Sequence, residues 1–169
     1  MSIWGKIIGG TAGFALGGPM GAIIGMMVGG SLDRTAKRFS SSNKLPLNQK
    51  QNIFALSVII LSAKIAKADG QVTEDEVYAF KEKFRISDDE MPQVGKIFNE
   101  AKKSTEGYKE IANQVGLLFA DNKILLEELL NNLFYIAESD GETSANEIKI
   151  LKSISHSFGL SENDFQRIF

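Results

Sequence analysis

The sequence predicts an all-α protein: a glycine-zipper transmembrane helix at the N-terminus, followed by a soluble bundle of about seven helices. Three observations predict it. An uncharged run extends from Ile7 to Leu32 and carries glycine at every fourth position. Beyond it, apolar residues recur with helical spacing, and no stretch alternates with period two for long enough to argue a strand. Tight-turn and capping signals punctuate that second part.

The uncharged run comes first. As a helix it would be roughly 39 Å long, against a hydrocarbon core of roughly 30 Å, so it can span with some tilt. Trp4 and Lys6 lie at one end, where an amphipathic ring and a snorkelling amine belong. Asp33, Arg34, Lys37 and Arg38 close the other. Basic residues are denser after the run than before it, which directs the C-terminal part to the cytoplasm as a single-pass protein. Gly5, Gly9, Gly13, Gly17, Gly21, Gly25 and Gly29 recur in register. Each would cost a water-exposed helix about 1 kcal/mol relative to alanine. In lipid, small residues let backbones approach closely, which drives helix association. The stripe drifts by about 40° per glycine, so it suits a steep right-handed crossing or more than one neighbour. The expectation is a homo-oligomer. Small residues tolerated without association are the plainer account. Pro19 removes one helix hydrogen bond and permits a kink. A re-entrant hairpin and a cleaved signal peptide are the alternatives to a span; the second is disfavoured by the long apolar run and weakly charged start.

The charge distribution bounds the partners. The net charge is −2, with no cysteine and one histidine. Disulfides, cysteine metal sites and histidine-rich zinc sites are therefore out of reach. Residues 33–50 carry Arg34, Lys37, Arg38, Lys44 and Lys50 against Asp33, whereas residues 51–169 hold 13 basic and 20 acidic side chains. An acidic folded part does not suit nucleic acid. A basic collar suits anionic head groups, with Arg34, Lys37 and Arg38 facing membrane lipid. The division expected is 1–32 membrane segment, 33–50 basic, serine-rich linker and 51–169 helical domain.

Within the domain, residues 48–68 are apolar on nearly every face, with Ile53, Phe54, Leu56, Val58, Ile59, Ile60, Leu61, Ile65 and Ala66. Lys50, Lys64 and Lys67 bracket too short a run for a second span, so this reads as the central helix. Further helices are expected over 73–85, 89–103, 107–120, 122–139, 144–158 and 161–168. Ser87, Ser144 and Ser161 are the candidate N-caps, and Gly159 the left-handed end of a helix. Ser87-Asp88-Asp89-Glu90 reads as a helix N-terminus, where acids complement the dipole. Phenylalanines at helical spacing are core candidates, while Phe165, Ile168 and Phe169 could leave an apolar end for a partner.

Two stretches repeat. Residues 65–77 read IAKADGQVTEDEV and residues 136–148 read IAESDGETSANEI. Asp-Gly permits a tight turn after a helix, glycine supplying positive φ. Thr73 with Glu76, and Ser144 with Glu147, each form a capping box that satisfies free amides at the next helix start.

These paired units, about seventy residues apart, resemble the TerB (tellurite-resistance) family over 51–169. The N-terminal WGKIIGGTAGFALGGPMGAIIG, followed by a basic linker and that domain, is similar to the membrane-anchored DnaJ-like DjlA co-chaperones. The resemblance implies an inner-membrane anchor, a cytoplasmic TerB-like domain and, beyond it, a J-domain that stimulates DnaK. These 169 residues hold no His-Pro-Asp loop, since His156 is followed by Ser157 and Phe158. A fragment of a longer protein and a natural short form are both consistent with that. The resemblance also implies a divalent cation held by Asp69 and Glu76 and by Asp140 and Glu147. Oxygen-only ligands favour calcium or magnesium over zinc. Turn and capping duty accounts for the same four residues without a metal, and the spacing is not that of an EF-hand.

Neither a nucleophile–base pair nor a phosphate-cradling loop with its lysine is present, so an enzyme is not expected. His156 reads as a helix surface or boundary residue. The leading expectation is a membrane-tethered scaffold or stress-response adaptor that presents its domain to a cytoplasmic protein. The N-terminal part of a DjlA-like co-chaperone, and a structural subunit of a glycine-zipper oligomer or filament, are the alternatives.

Overall fold

The computed structural model describes residues 47–70 and 72–169. The glycine stripe from Gly5 to Gly29, Pro19, and the collar residues Arg34, Lys37 and Arg38 lie outside the described residues. Seven helices and no strand occur among the described residues: α1 Leu47–Ala66, α2 Glu74–Lys83, α3 Met91–Ala101, α4 Tyr108–Leu118, α5 Lys123–Ala137, α6 Ala145–Ser157 and α7 Glu162–Ile168.

α1 is the axle of the bundle. Every residue from Ala55 to Ala66 is buried, and α3, α4, α5 and α6 all pack against it. A helix that is apolar all round has no solvent face to offer, so surrounding it with four others is the arrangement that hides it. The other helices turn one stripe inward: Val94, Phe98 and Ala101 on α3; Ile111, Val115 and Leu118 on α4; Leu126, Leu130 and Leu133 on α5; Leu151 and Ile154 on α6. None of the described helices is long and apolar enough to cross a membrane.

Two features of α1 are set by packing rather than by pattern. Lys64, a flanking charge in the sequence, is only 3% exposed. Its Nζ donates to the Ser104 carbonyl at 2.9 Å and the Ala101 carbonyl at 3.4 Å, so a cation closes the carbonyl end of α3. Burial pushes this amine down, and the charges of Glu106 and Glu110 oppose that shift. Ser62 is also fully buried, and its hydroxyl finds no hydrogen-bond partner among the described residues. Ser62→Ala should therefore raise stability by about 1 kcal/mol, read as an upward shift of the thermal midpoint, because an unmatched hydroxyl is removed from the core. A fall in the midpoint would show that the hydroxyl is satisfied.

The caps follow the expected chemistry in two of three places. Ser144 and Ser161 accept from the third backbone amide of α6 and α7. Ser87 does not cap α3. That helix starts at Met91, after a turn, with Glu90 in the cap position and a proline in its first turn. Ser87 closes one turn earlier, donating its hydroxyl to Glu90 Oε2 at 2.6 Å while its carbonyl accepts from the Met91 amide at 3.1 Å. The C-terminal aromatics divide as well. Phe165 is buried, 5.4 Å between ring centroids from Phe134, so it belongs to the core, while Phe169 stays exposed over the same pair.

Candidate functional site

The two repeated units lie at equivalent places in the fold. α1 runs into Asp69-Gly70 and restarts as α2; α5 runs into Asp140-Gly141 and restarts as α6. Gly70 and Gly141 adopt φ of +106° and +99°, the left-handed region that a side chain would strain. Both capping boxes are closed. Glu76 Oε2 accepts from the Thr73 amide at 2.7 Å, and the Glu76 amide donates to Thr73 Oγ1 at 3.2 Å. Glu147 Oε2 accepts from the Ser144 amide at 2.8 Å, and its own amide donates to Ser144 Oγ at 3.2 Å. In each box the carboxylate accepts through Oε2, while the glutamate's own amide is met by the hydroxyl of Thr73 or Ser144.

Both glutamates are buried, at 1% and 2% exposure, which is uncommon for a carboxylate without a cation beside it. Burial pushes the Glu76 carboxyl up to about 7, against the pull of its Thr73 hydrogen bonds; the charges of Glu147 and Asp69 raise it further. Burial likewise raises Glu147, with Asp69 and Asp140 adding to it. The pairings cross between units: Asp69 of the first acts on Glu147 of the second. The four acids singled out by spacing thus share one electrostatic neighbourhood. α5 packs on α1, α2 and α6, and that brings the turns together.

This neighbourhood is not a formed coordination shell. Among the described residues, no three Asp, Glu or His side chains are grouped closely enough to hold an ion. The Asp140 carboxylate accepts instead from the Glu142 amide, a turn bond at 3.4 Å. His156 sits exposed in the last turn of α6, where a basic side chain complements the dipole.

A second feature escaped the sequence. A groove of about 440 Å³ opens between α2 and the C-terminal half of α5, lined by Asp75, Tyr78, Glu82, Tyr135 and Glu138. Tyr78 is 63% exposed and Tyr135 49%. The Lys83 ammonium stands 4.7 Å from the centroid of the Tyr135 ring. Tyr78 follows the apolar Val77 in α2, and Tyr135 sits between Phe134 and Ile136, so periodicity alone assigns neither ring to a surface.

The model of the tellurite resistance protein TerB family matches residues 55–169, the greater part of the chain. The chain belongs to the TerB family. Ahead of this TerB domain, residues 1–46 match the co-chaperone DjlA transmembrane domain, so the comparison supports a membrane-anchored protein. Curated relatives of this TerB-family chain include the co-chaperone protein DjlA of Legionella pneumophila, 28% identical over 94% of the chain and 56% of the relative. The DjlA of Photobacterium profundum is 27% identical over 98% of the chain and 64% of the relative. That of Coxiella burnetii is 26% identical over 98% and 66%. The chain therefore spans somewhat less than two thirds of the length of these relatives. No solved structure matches.

Proposed function

We propose that this protein is a membrane-anchored, non-enzymatic adaptor of the DjlA type, presenting its TerB domain to a cytoplasmic protein. One observation carries the reading: a transmembrane-domain match at 1–46 is followed by a TerB domain at 55–169, and the relatives that align with nearly the whole chain are named as co-chaperones. On this reading residues 1–32 form the membrane segment, 33–50 the linker and 51–169 the presented domain. The anchor is a single pass in the inner membrane, with Arg34, Lys37 and Arg38 against cytoplasmic lipid head groups. Gly5, Gly9, Gly13, Gly17, Gly21, Gly25 and Gly29 form the self-association face.

Exchange of Gly13, Gly17 and Gly21 for leucine tests the last point. Loss of signal in a membrane two-hybrid assay is expected; undiminished association would remove the stripe from the proposal. A chaperone-related role is the second form of the same reading, in which these 169 residues act together with a J-domain as one DjlA-like protein. It is favoured by the length of the relatives.

Cation sensing by Asp69, Glu76, Asp140 and Glu147 is supported by the charges of Asp69 and Asp140, which add to burial in raising the buried glutamates and which calcium or magnesium would offset. Calorimetry of the intact chain with calcium tests it. Binding that disappears in Asp69→Asn with Asp140→Asn supports it, and no heat in the wild type ends it.

A further inference from the structure

The groove between α2 and α5 has a chemistry of its own. Two exposed tyrosine rings, Tyr78 and Tyr135, stand among three carboxylates, Asp75, Glu82 and Glu138. No basic side chain lines it among the described residues, although the flanking Lys83 reaches the Tyr135 ring. The carboxylates repel phosphates, which sets nucleic acid and anionic lipid aside. They attract ammonium and guanidinium groups, and the ring faces do the same through their quadrupoles. The Lys83 ammonium over Tyr135 shows such a seat filled from within the chain.

We propose that this groove docks a short arginine- or lysine-bearing segment of a partner protein, with a cationic side chain over the tyrosine rings and its charge matched by Asp75, Glu82 and Glu138. The occupant is fixed by charge complementarity. Arginine suits the place better than lysine, because its planar guanidinium stacks on a ring while forking onto a carboxylate. Lys83 competes for the Tyr135 face and is displaced when the segment docks. The inference names the partner chemistry for the adaptor reading and rests on it only to that extent. Its test uses neither the glycine stripe nor self-association, so either can fail without the other.

The probe is a fluorescein-labelled peptide of repeated Gly-Arg-Ser, titrated by fluorescence polarisation against the intact chain in neutral-detergent micelles. The same peptide with citrulline for arginine keeps the shape and loses the charge. The arginine peptide should bind saturably and the citrulline peptide about tenfold more weakly, with affinity falling as salt rises. Asp75→Asn with Glu82→Gln and Glu138→Gln should cost about tenfold. Tyr78→Leu with Tyr135→Leu keeps bulk and net charge and should still cost about fivefold, the cation–ring share. Lys83→Gln should tighten binding about twofold, which no purely structural role for that lysine would produce. Asp89→Asn with Glu100→Gln and Asp121→Asn, all exposed and outside the groove lining, should change little. Unfolding midpoints within a degree or two of wild type confirm that each variant is folded. Equal losses from the two acid triplets would reduce the effect to the domain's overall charge and overturn the proposal, as would tyrosine variants that bind like wild type.

Discussion

Replacing Gly116 with alanine is expected to destabilise the domain by about 3 kcal/mol, the top of the usual range for overpacking, and to lower the thermal midpoint by about 10 °C. A Cβ at this position of α4 would overlap the backbone carbonyl oxygen of Ser157 and lie 3.1 Å from Phe158 Cα. Those are main-chain atoms at the end of α6, so they cannot swing aside as a side chain would. Relief requires α6 to move off α4, and α6 is also packed on α1 and α5. The same exchange ordinarily favours a helix by about 1 kcal/mol, and Gly95 on α3 shows where that holds. Nothing lies within 4 Å of a Cβ built there. Gly95→Ala should accordingly raise stability by up to about 1 kcal/mol. Circular-dichroism melts of the two variants in detergent check the pair. Equal shifts in the same direction would contradict the close α4–α6 crossing.

The second large effect concerns Glu76 and pH. Its carboxyl stands near 7 in the folded protein, against an ordinary value of 4.5. Between those values the unfolded chain has already released the proton while the folded chain still holds it. The group therefore favours folding most at low pH. Its contribution falls as pH rises from about 4.5 to about 7 and is constant above that. Glu76→Gln keeps an oxygen to accept from the Thr73 amide but carries no charge. It should match wild type at pH 4 and exceed it by about 2 kcal/mol at pH 8, flattening the decline between. Glu147→Gln should act in the same direction. The two gains should not add, because Glu147→Gln removes a charge that helps to raise Glu76. Denaturant midpoints for the two single variants and the double at both pH values decide this; a variant less stable than wild type at pH 8 would mean the carboxylate is stabilising as an anion. Calcium should narrow the same gap if the cation reading holds.

The repeated IAKADGQVTEDEV and IAESDGETSANEI carried their local structure on their face. Asp-Gly and Ser/Thr-x-x-Glu are short-range devices, built from atoms within four residues of one another, and the turns and capping boxes follow directly. Ser87 went otherwise for a reason equally local. Its Ser-x-x-Glu closes a turn ahead of α3 instead of the helix itself. Lys64, written as a flanking charge, became a buried cap on another helix, a role that needs the carbonyls of Ala101 and Ser104, some forty residues away.

What the sequence by itself determined is everything governed by neighbours along the chain: the seven helices among the described residues, their order, the central place of α1, the two capped turns and the uncharged glycine run. Only the tertiary structure decided that the charge of Asp69 acts on Glu147, that Gly116 leaves room for the Ser157 carbonyl, and that Tyr78 and Tyr135 open one acidic groove. Helical periodicity fixes which face of a helix is apolar. It does not fix which helix that face meets, and each of these three features is a property of the meeting.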